Sequence, residues 1–76
     1  MNQLIEILNE IRPGKDFAGA NHFFEQGILD SLDLTTLVSA LEAQYAIFID
    51  VDEMSAENFR SVAAISTFLA SKNIHV

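Results

Sequence analysis

Apolar residues recur along this chain at intervals of three and four, which is the spacing of one face of an α-helix. The pattern occurs three times: over residues 2–12, from Ser31 to about Ala46, and over residues 62–71. Pro13-Gly14 ends the first segment, and Asn73 is a suitable terminator for the third. The stripes consist of Leu4, Ile7, Leu8 and Ile11, then Leu34, Leu37, Val38, Leu41 and Tyr45, then Val62, Ile65, Phe68 and Leu69.

The connection over residues 13–30 is longer than most loops in a compact domain. It is rich in apolar residues, so we expect it to be pinned to the core rather than mobile. A short helical turn near residues 20–24 is one option for its local structure. The residues that we expect to anchor it are Phe17, Phe23, Phe24, Ile28 and Leu29.

The second connection, residues 47–54, alternates Ile47, Ile49 and Val51 as a strand would. No second strand is available to pair with it, so we predict an extended loop with buried aliphatic side chains. Ser55 then caps one short helical turn over residues 55–58, Phe59 points inward, and Ser61 caps the last helix.

Three long helices and one short helix leave enough apolar stripes for a single bundle. The predicted fold class is therefore all-α, as a small four-helix bundle. A chain of 76 residues is short enough that we expect one domain over residues 1–76.

The start of the second helix has a distinctive local pattern. Asp30 is a good N-cap, and Asp33 falls in the first turn, where negative charge suits the helix dipole. Ser31 takes the first helical position, with its hydroxyl near the surface. Leu32 points away from the core stripe, on the side that Thr36, Ser39 and Ala43 share. Capping alone explains Asp30 and Ser31, but the core does not explain an exposed leucine beside them.

At these residues the chain resembles the acyl carrier protein family. Asp30-Ser31-Leu32, preceded by Gly27-Ile28-Leu29 and followed by an amphipathic helix, is similar to that family's phosphopantetheine attachment site. The segment from Tyr45 to Val51 resembles the family's stretch after this helix. The segment from Ser61 to Ile65 resembles the start of its last helix. The resemblance covers nearly the whole chain and implies the same small helical bundle.

The resemblance implies that Ser31 holds 4'-phosphopantetheine through a phosphodiester and that acyl or aminoacyl groups are bound to its thiol as thioesters. Asp30 would shape the turn and contact the metal-bound site of a phosphopantetheinyl transferase. Leu32, Asp33 and Thr36 would form the surface that partner enzymes contact. Those partners are the transferase, an acyl- or aminoacyl-activating ligase and downstream acyl-using enzymes. The chain itself would be a monomeric carrier and not an enzyme.

Composition limits the alternatives. Four basic residues stand against 11 acidic ones, for a net charge of −7. This balance argues against a nucleic-acid binder and against binding to an anionic membrane surface. The absence of cysteine excludes disulfides and thiolate metal sites. The polar N-terminus and short apolar runs lead us to expect a cytoplasmic location.

Three other functions compete with the carrier. The segment from Asp50 to Met54 resembles the start of a calcium loop, but Ser55 and Ser61 stand where the loop needs glycine and glutamate. A Ser-His-Asp hydrolase using His22 or His75 lacks the Gly-x-Ser-x-Gly elbow. An acidic helical interaction module without a prosthetic group remains the alternative.

The exposed stretch of the second helix departs from the resemblance in one respect. Thr35, Thr36 and Ser39 occupy positions where carriers of fatty acid synthesis usually have more acidic residues. This difference favours a specialised free-standing carrier, loaded with an amino acid or a polyketide-type unit, over a general fatty-acid carrier.

Overall fold

Helices make up all the regular structure in residues 3–75, which are the residues that the computed structural model of the chain describes. The order is α1 (Gln3–Ile11), α2 (Ser31–Tyr45), a 3-10 turn (Val51–Glu53), α3 (Ala56–Phe59) and α4 (Val62–Ala70). The predicted fold class, with three long helices and one short one, is confirmed for this part of the chain. No helix in it is both long and apolar enough to cross a bilayer.

The helix ends differ slightly from the predicted ones. The first helix was expected from residue 2, which lies outside the described residues, and it stops at Ile11. The second helix stops at Tyr45 because Ala46 adopts a left-handed conformation, with φ 54° and ψ 46°. The last helix ends one residue early, at Ala70. Asn73 follows with φ 65°, which agrees with its predicted role as a terminator.

The core lies where the apolar stripes of α1, α2 and α4 meet the side chains of the connections. α1 packs against α2, and α3 packs against α4. Aromatic pairs occur in both halves: the ring centroids of Phe17 and Phe23 are 5.3 Å apart, and those of Phe59 and Phe68 are 5.1 Å apart. The buried apolar residues are Leu4, Ile7, Leu8, Phe17, Phe23, Leu29, Leu37, Val38, Leu41, Ile49, Phe59, Ile65, Phe68 and Leu69.

The long connection is pinned to the core, as predicted. Phe23 is fully buried, and its N–H donates to the carbonyl of Arg60 at 2.6 Å. Its own carbonyl accepts from the N–H groups of Ile28 and Leu29, at 2.8 and 3.1 Å. These bonds close a turn over residues 23–27 instead of continuing a helix. No helix forms over residues 20–24: the helical turn suggested there is displaced to residues 22–27, where the N–H of Gln26 donates to the carbonyl of His22 at 3.0 Å, and a second turn lies at 17–19.

The second connection is only partly as predicted. Ile49 is buried, and its N–H donates to the carboxylate of Glu42 on α2 at 2.9 Å. Val51, in contrast, is 79% exposed, so its predicted burial is wrong. The 3-10 turn begins at Val51 and breaks the two-residue alternation of an extended chain, which directs this side chain to solvent.

The short helix and the last cap agree with the sequence prediction. The hydroxyl of Ser55 accepts from the N–H of Asn58 at 3.3 Å, and that of Ser61 accepts from Ala64 at 3.1 Å. Phe59 is fully buried at the end of α3.

Tyr45, the last residue of α2, packs its ring against the core. Its hydroxyl is buried without a hydrogen-bond partner among the described residues. This burial raises the pKa of the Tyr45 phenol above its usual 10.0.

Candidate functional site

The first turn of α2 is closed by a reciprocal pair of hydrogen bonds between Asp30 and Asp33. The Asp30 carboxylate accepts from the N–H of Asp33 at 2.9 Å, and the Asp33 carboxylate accepts from the N–H of Asp30 at 3.2 Å. This is a capping box in which aspartate serves at both ends. Asp30 itself is extended, with φ −125° and ψ −174°, so the chain turns sharply into the helix at this residue. The predicted N-cap is confirmed.

A basic side chain from another element completes this turn. Arg12, directly after α1, donates from Nε to Oδ2 of Asp33 at 2.9 Å. Its Nη2 lies 3.7 Å from Oδ2 of Asp30. Because Asp33 is a buried residue, this charge-assisted bond compensates a carboxylate that has little access to water. The end of α1 is therefore tied to the start of α2 across the intervening connection.

The hydrogen bonds and charges of the turn favour the ionised forms of Asp30 and Arg12. The N–H of Asp33 and the nearby Arg12 guanidinium hold the pKa of the Asp30 carboxyl below its usual 3.8. The hydrogen bond and the negative charge of Asp33 raise the pKa of the Arg12 guanidinium above its usual value. Both carboxylates and the guanidinium are thus drawn into one network around the first turn.

Ser31 stands at the first helical position, one residue after this cap. It is exposed, and its hydroxyl makes no hydrogen bond with any other residue of the 3–75 range. Gly27 precedes it with φ 73°, a left-handed conformation that favours glycine, and Leu29 is buried just before the cap. The anchored connection thus places a free hydroxyl at a fixed point on the surface.

The residues predicted to contact partners lie in different environments. Leu32 is 75% exposed. Thr36 is exposed too, and its hydroxyl donates back to the carbonyl of Leu32 at 3.2 Å, as that of Thr35 does to the carbonyl of Ser31 at 3.3 Å. Asp33 differs, since its side chain is only 12% exposed and its Oδ2 already accepts from Arg12. Its position favours a structural role in the turn over contact with a partner.

Arg12 was not singled out by the sequence. Its two partners lie 18 and 21 positions further along the chain. The only available signal was that the chain has four basic residues, one of which comes directly after the first apolar stripe. Only the packing of α1 against α2 brings that charge to the capping box.

The other candidate groups do not assemble into a second site. Within the described residues no three or more His, Asp or Glu side chains are grouped so as to hold a metal ion. His22 belongs to a local turn, where its Nδ1 accepts from the N–H of Glu25 at 3.2 Å. A surface groove of about 460 Å³ runs along α3 and α4 and has no residue of α2 in its lining.

Comparison with known protein families identifies the chain. The model of the phosphopantetheine attachment site family matches residues 2–69, which is most of the sequence. The chain therefore belongs to that family, whose domain is the point of attachment for 4'-phosphopantetheine. Searches of curated proteins and of solved structures returned no match.

The residues at the start of α2 fit the attachment of such a group. A phosphodiester needs a hydroxyl oxygen that an enzyme can reach, and the exposed Ser31 supplies one. A helix N-terminus also tolerates negative charge, because its first N–H groups point outward. The site and the family therefore agree on a phosphopantetheine carrier.

Proposed function

We propose that Ser31 is the attachment residue and that the chain carries acyl or aminoacyl groups on the arm that it holds. The observation that supports this most strongly is the exposed, unbonded Ser31 hydroxyl at the start of α2, inside the range that matches the family. Within the proposal the chain is a carrier and not a catalyst. When bound, 4'-phosphopantetheine supplies a terminal thiol that forms thioesters.

The attachment step is a transfer from coenzyme A by a phosphopantetheinyl transferase. A bond forms between Oγ of Ser31 and the phosphorus next to the pantetheine unit. One P–O bond in the diphosphate of coenzyme A breaks, and the adenosine bisphosphate half leaves with its electron pair. The hydroxyl proton passes to a base of the transferase. Asp30 holds Ser31 at the helix start and, with 63% of its side chain exposed, stays accessible to the transferase.

After attachment, an activating ligase loads the thiol and downstream enzymes use the acyl group. Leu32, the residue after Ser31, and Thr36, one helical turn beyond Leu32, are both exposed and are the proposed contact residues for these partners. Asp33 contributes to the contact mainly by shaping the turn. The contacts are transient, because a carrier must leave each partner. The uncharged Thr35, Thr36 and Ser39 favour a specialised cargo, such as an amino acid or a polyketide-type unit.

Intact-mass measurement tests the attachment residue. The chain is incubated with coenzyme A, Mg²⁺ and a broad-specificity phosphopantetheinyl transferase, beside a known carrier as positive control. We expect a gain of one phosphopantetheinyl group, complete loss of this gain in Ser31→Ala, and full retention in Ser39→Ala, the matched exposed serine of α2. Peptide mapping should locate the group on Ser31.

Two results would count against the proposal. A mass gain that persists in Ser31→Ala would mean that the group is attached to another residue. If the positive control is modified but the wild-type chain is not, the alternative is favoured, which is an acidic helical module that binds partners without a prosthetic group.

A further inference from the structure

We propose that Arg12 is a positioning residue for the modification of Ser31. The inference rests on the proposed attachment at Ser31 and concerns a residue in a different element, directly after α1. Arg12 does not touch Ser31. It acts through Asp33 and Asp30, which between them fix the turn from which the Ser31 hydroxyl projects.

The first step is the placement of Asp33. Its Oδ2 atom accepts from Arg12 Nε at 2.9 Å and from the N–H of Asp30 at 3.2 Å. Among the described residues Arg12 has the only cationic side chain within 4 Å of this carboxylate. A nearly buried carboxylate without a counter-ion must either gain water or change its rotamer. Without Arg12, we expect the Asp33 side chain to turn toward water and to leave its bond to the N–H of Asp30.

The second step runs from Asp30 to Ser31. The N–H of Asp30 is held by Asp33, and Nη2 of Arg12 lies 3.7 Å from the Asp30 carboxylate. Asp30 is therefore restrained at its main chain and its side chain together. The ψ of Asp30 and the φ of Ser31 set the direction of the Ser31 Cα–Cβ bond. Without this restraint, we expect the Ser31 hydroxyl to occupy more than one position.

The expected consequence is kinetic. Group transfer depends on the nucleophile standing at the correct distance and angle, and a misplacement of about 1 Å can cost roughly a hundredfold in rate. A spread hydroxyl lowers kcat for the transfer, while the surface around Leu32 that binds the transferase is unchanged. A direct contact between Arg12 and the transferase would instead raise KM.

The chain contains a matched control for this test. Lys72 pairs with Glu53 at 3.1 Å, and the carboxylate of Glu53 accepts from the N–H of Asp50 at 2.9 Å. This is the same kind of ion pair on the third residue after an aspartate, in a turn that does not include Ser31. Lys72→Gln removes a charge of the same sign from an equivalent position. It removes an ion pair of the same kind, on a carboxylate that is 35% rather than 12% exposed, and should leave the transfer unaffected.

The experiment measures kcat and KM for phosphopantetheine transfer from coenzyme A to the full chain by a broad-specificity transferase. The variants are Arg12→Gln, Arg12→Lys and Lys72→Gln, assayed at a temperature where circular dichroism finds each one folded. We expect kcat to fall about tenfold in Arg12→Gln, with KM within about twofold of wild type. Lys72→Gln should stay within about twofold in both constants. Arg12→Lys keeps the charge but loses the contact with two carboxylates, so we expect its kcat to lie between those of Arg12→Gln and wild type.

Other outcomes would overturn the inference. These are equal kcat values for Arg12→Gln and Lys72→Gln, or a change in KM alone. If Arg12→Gln does not fold, Arg12→Lys and Asp33→Asn decide instead, and wild-type kcat in both counts against the positioning role. If the transferase does not modify the wild-type chain, the proposed function itself is wrong. If the wild-type chain is modified but kcat does not depend on Arg12, only this inference is wrong.

Discussion

The chain builds two similar turns, one at Asp30–Asp33 and one at Asp50–Glu53. In each, the N–H of an aspartate donates to the carboxylate three residues later, at 3.2 and 2.9 Å. In each, a basic side chain from a distant element binds that carboxylate: Arg12 in the first turn and Lys72 in the second, at 2.9 and 3.1 Å. We refer to these as the Asp30 turn and the Asp50 turn.

The two turns differ in their remaining hydrogen bonds and in the element that each one begins. The Asp30 turn is reciprocal, since the side chain of Asp30 accepts from the N–H of Asp33. In the Asp50 turn the N–H of Glu53 bonds to the main-chain carbonyl of Asp50 instead. The first opens a helix of 15 residues and presents Ser31, whereas the second opens a 3-10 turn of three residues and presents Val51.

Because both turns share the aspartate–carboxylate–cation arrangement, that arrangement alone does not single out a candidate site. A good cap is a common device at helix starts. The Asp30 turn becomes a candidate site because a hydroxyl stands at the first helical position, with a long helix behind it and an exposed leucine beside it. The Asp50 turn has the bond from the aspartate N–H to the carboxylate, the ion pair and exposed apolar side chains, but no nucleophile.

Moving the serine from one turn to the other should have the largest effect. In the double variant Ser31→Ala/Val51→Ser we expect no gain of phosphopantetheine, because the Asp50 turn has no long helix behind it for the transferase to bind. The single variant Val51→Ser should be modified once, at Ser31. Intact mass after incubation with the transferase measures both, and a gain in the double variant would mean that a capped serine is sufficient.

The two turns should also respond differently to loss of an aromatic ring. Phe23 lies fully buried in the connection that leads to the Asp30 turn, whereas Phe48, just before the Asp50 turn, is 73% exposed. We expect Phe23→Ala to lower the free energy of unfolding by about 3–5 kcal/mol. Phe48→Ala should change it by no more than about 0.5 kcal/mol. Urea unfolding followed by circular dichroism gives both values, and similar losses would contradict the burial difference.

Acid should weaken the two turns together. The pKa values of Asp30 and Glu53 are both lowered, first by a backbone N–H that donates to each carboxylate. A carboxyl whose pKa is lower in the folded than in the unfolded state stabilises the fold at pH values above its unfolded-state pKa. That unfolded-state pKa is about 3.8 for Asp30 and about 4.5 for Glu53. That stabilisation is lost as the pH falls through the folded value.

Asp30→Asn and Glu53→Gln should therefore each flatten the acid side of a plot of urea midpoint against pH. This is the smallest of the three effects, because both side chains have access to water. A plot with the same slope in wild type and both variants would mean that other carboxyls control the acid response.

The sequence was sufficient for the parts of this comparison that are local. The cap at Asp30, the surface position of Ser31 and the caps at Ser55 and Ser61 depend on residues within three positions of each other. The resemblance on Asp30-Ser31-Leu32 supplied the family, which capping alone does not reveal. Whether Ser31 is modified stays a prediction.

The parts that were missed depend on contacts across the fold. The ion pair of Arg12 needs α1 to pack against α2, so no spacing in the sequence signals it. The contact of Asp33 with partners stays a prediction, but the sequence did not signal that the same packing leaves its side chain only 12% exposed. Val51 was expected inside because its alternation with Ile49 is typical of extended chain. The 3-10 turn that directs it outward is held in part by Lys72, which lies 21 positions further on.

The environment of Tyr45 has a practical consequence for spectroscopy. The chain has one tyrosine and no tryptophan, so its near-ultraviolet absorption and emission come mainly from this ring. Because burial raises the phenol's pKa, phenolate absorption should develop at a higher pH than for free tyrosine, and the associated stability should be lost as the pH rises above 10. Tyr45 ends the helix that Ser31 begins. An optical titration can therefore follow one end of α2 while mass spectrometry follows the other, with no label on the protein.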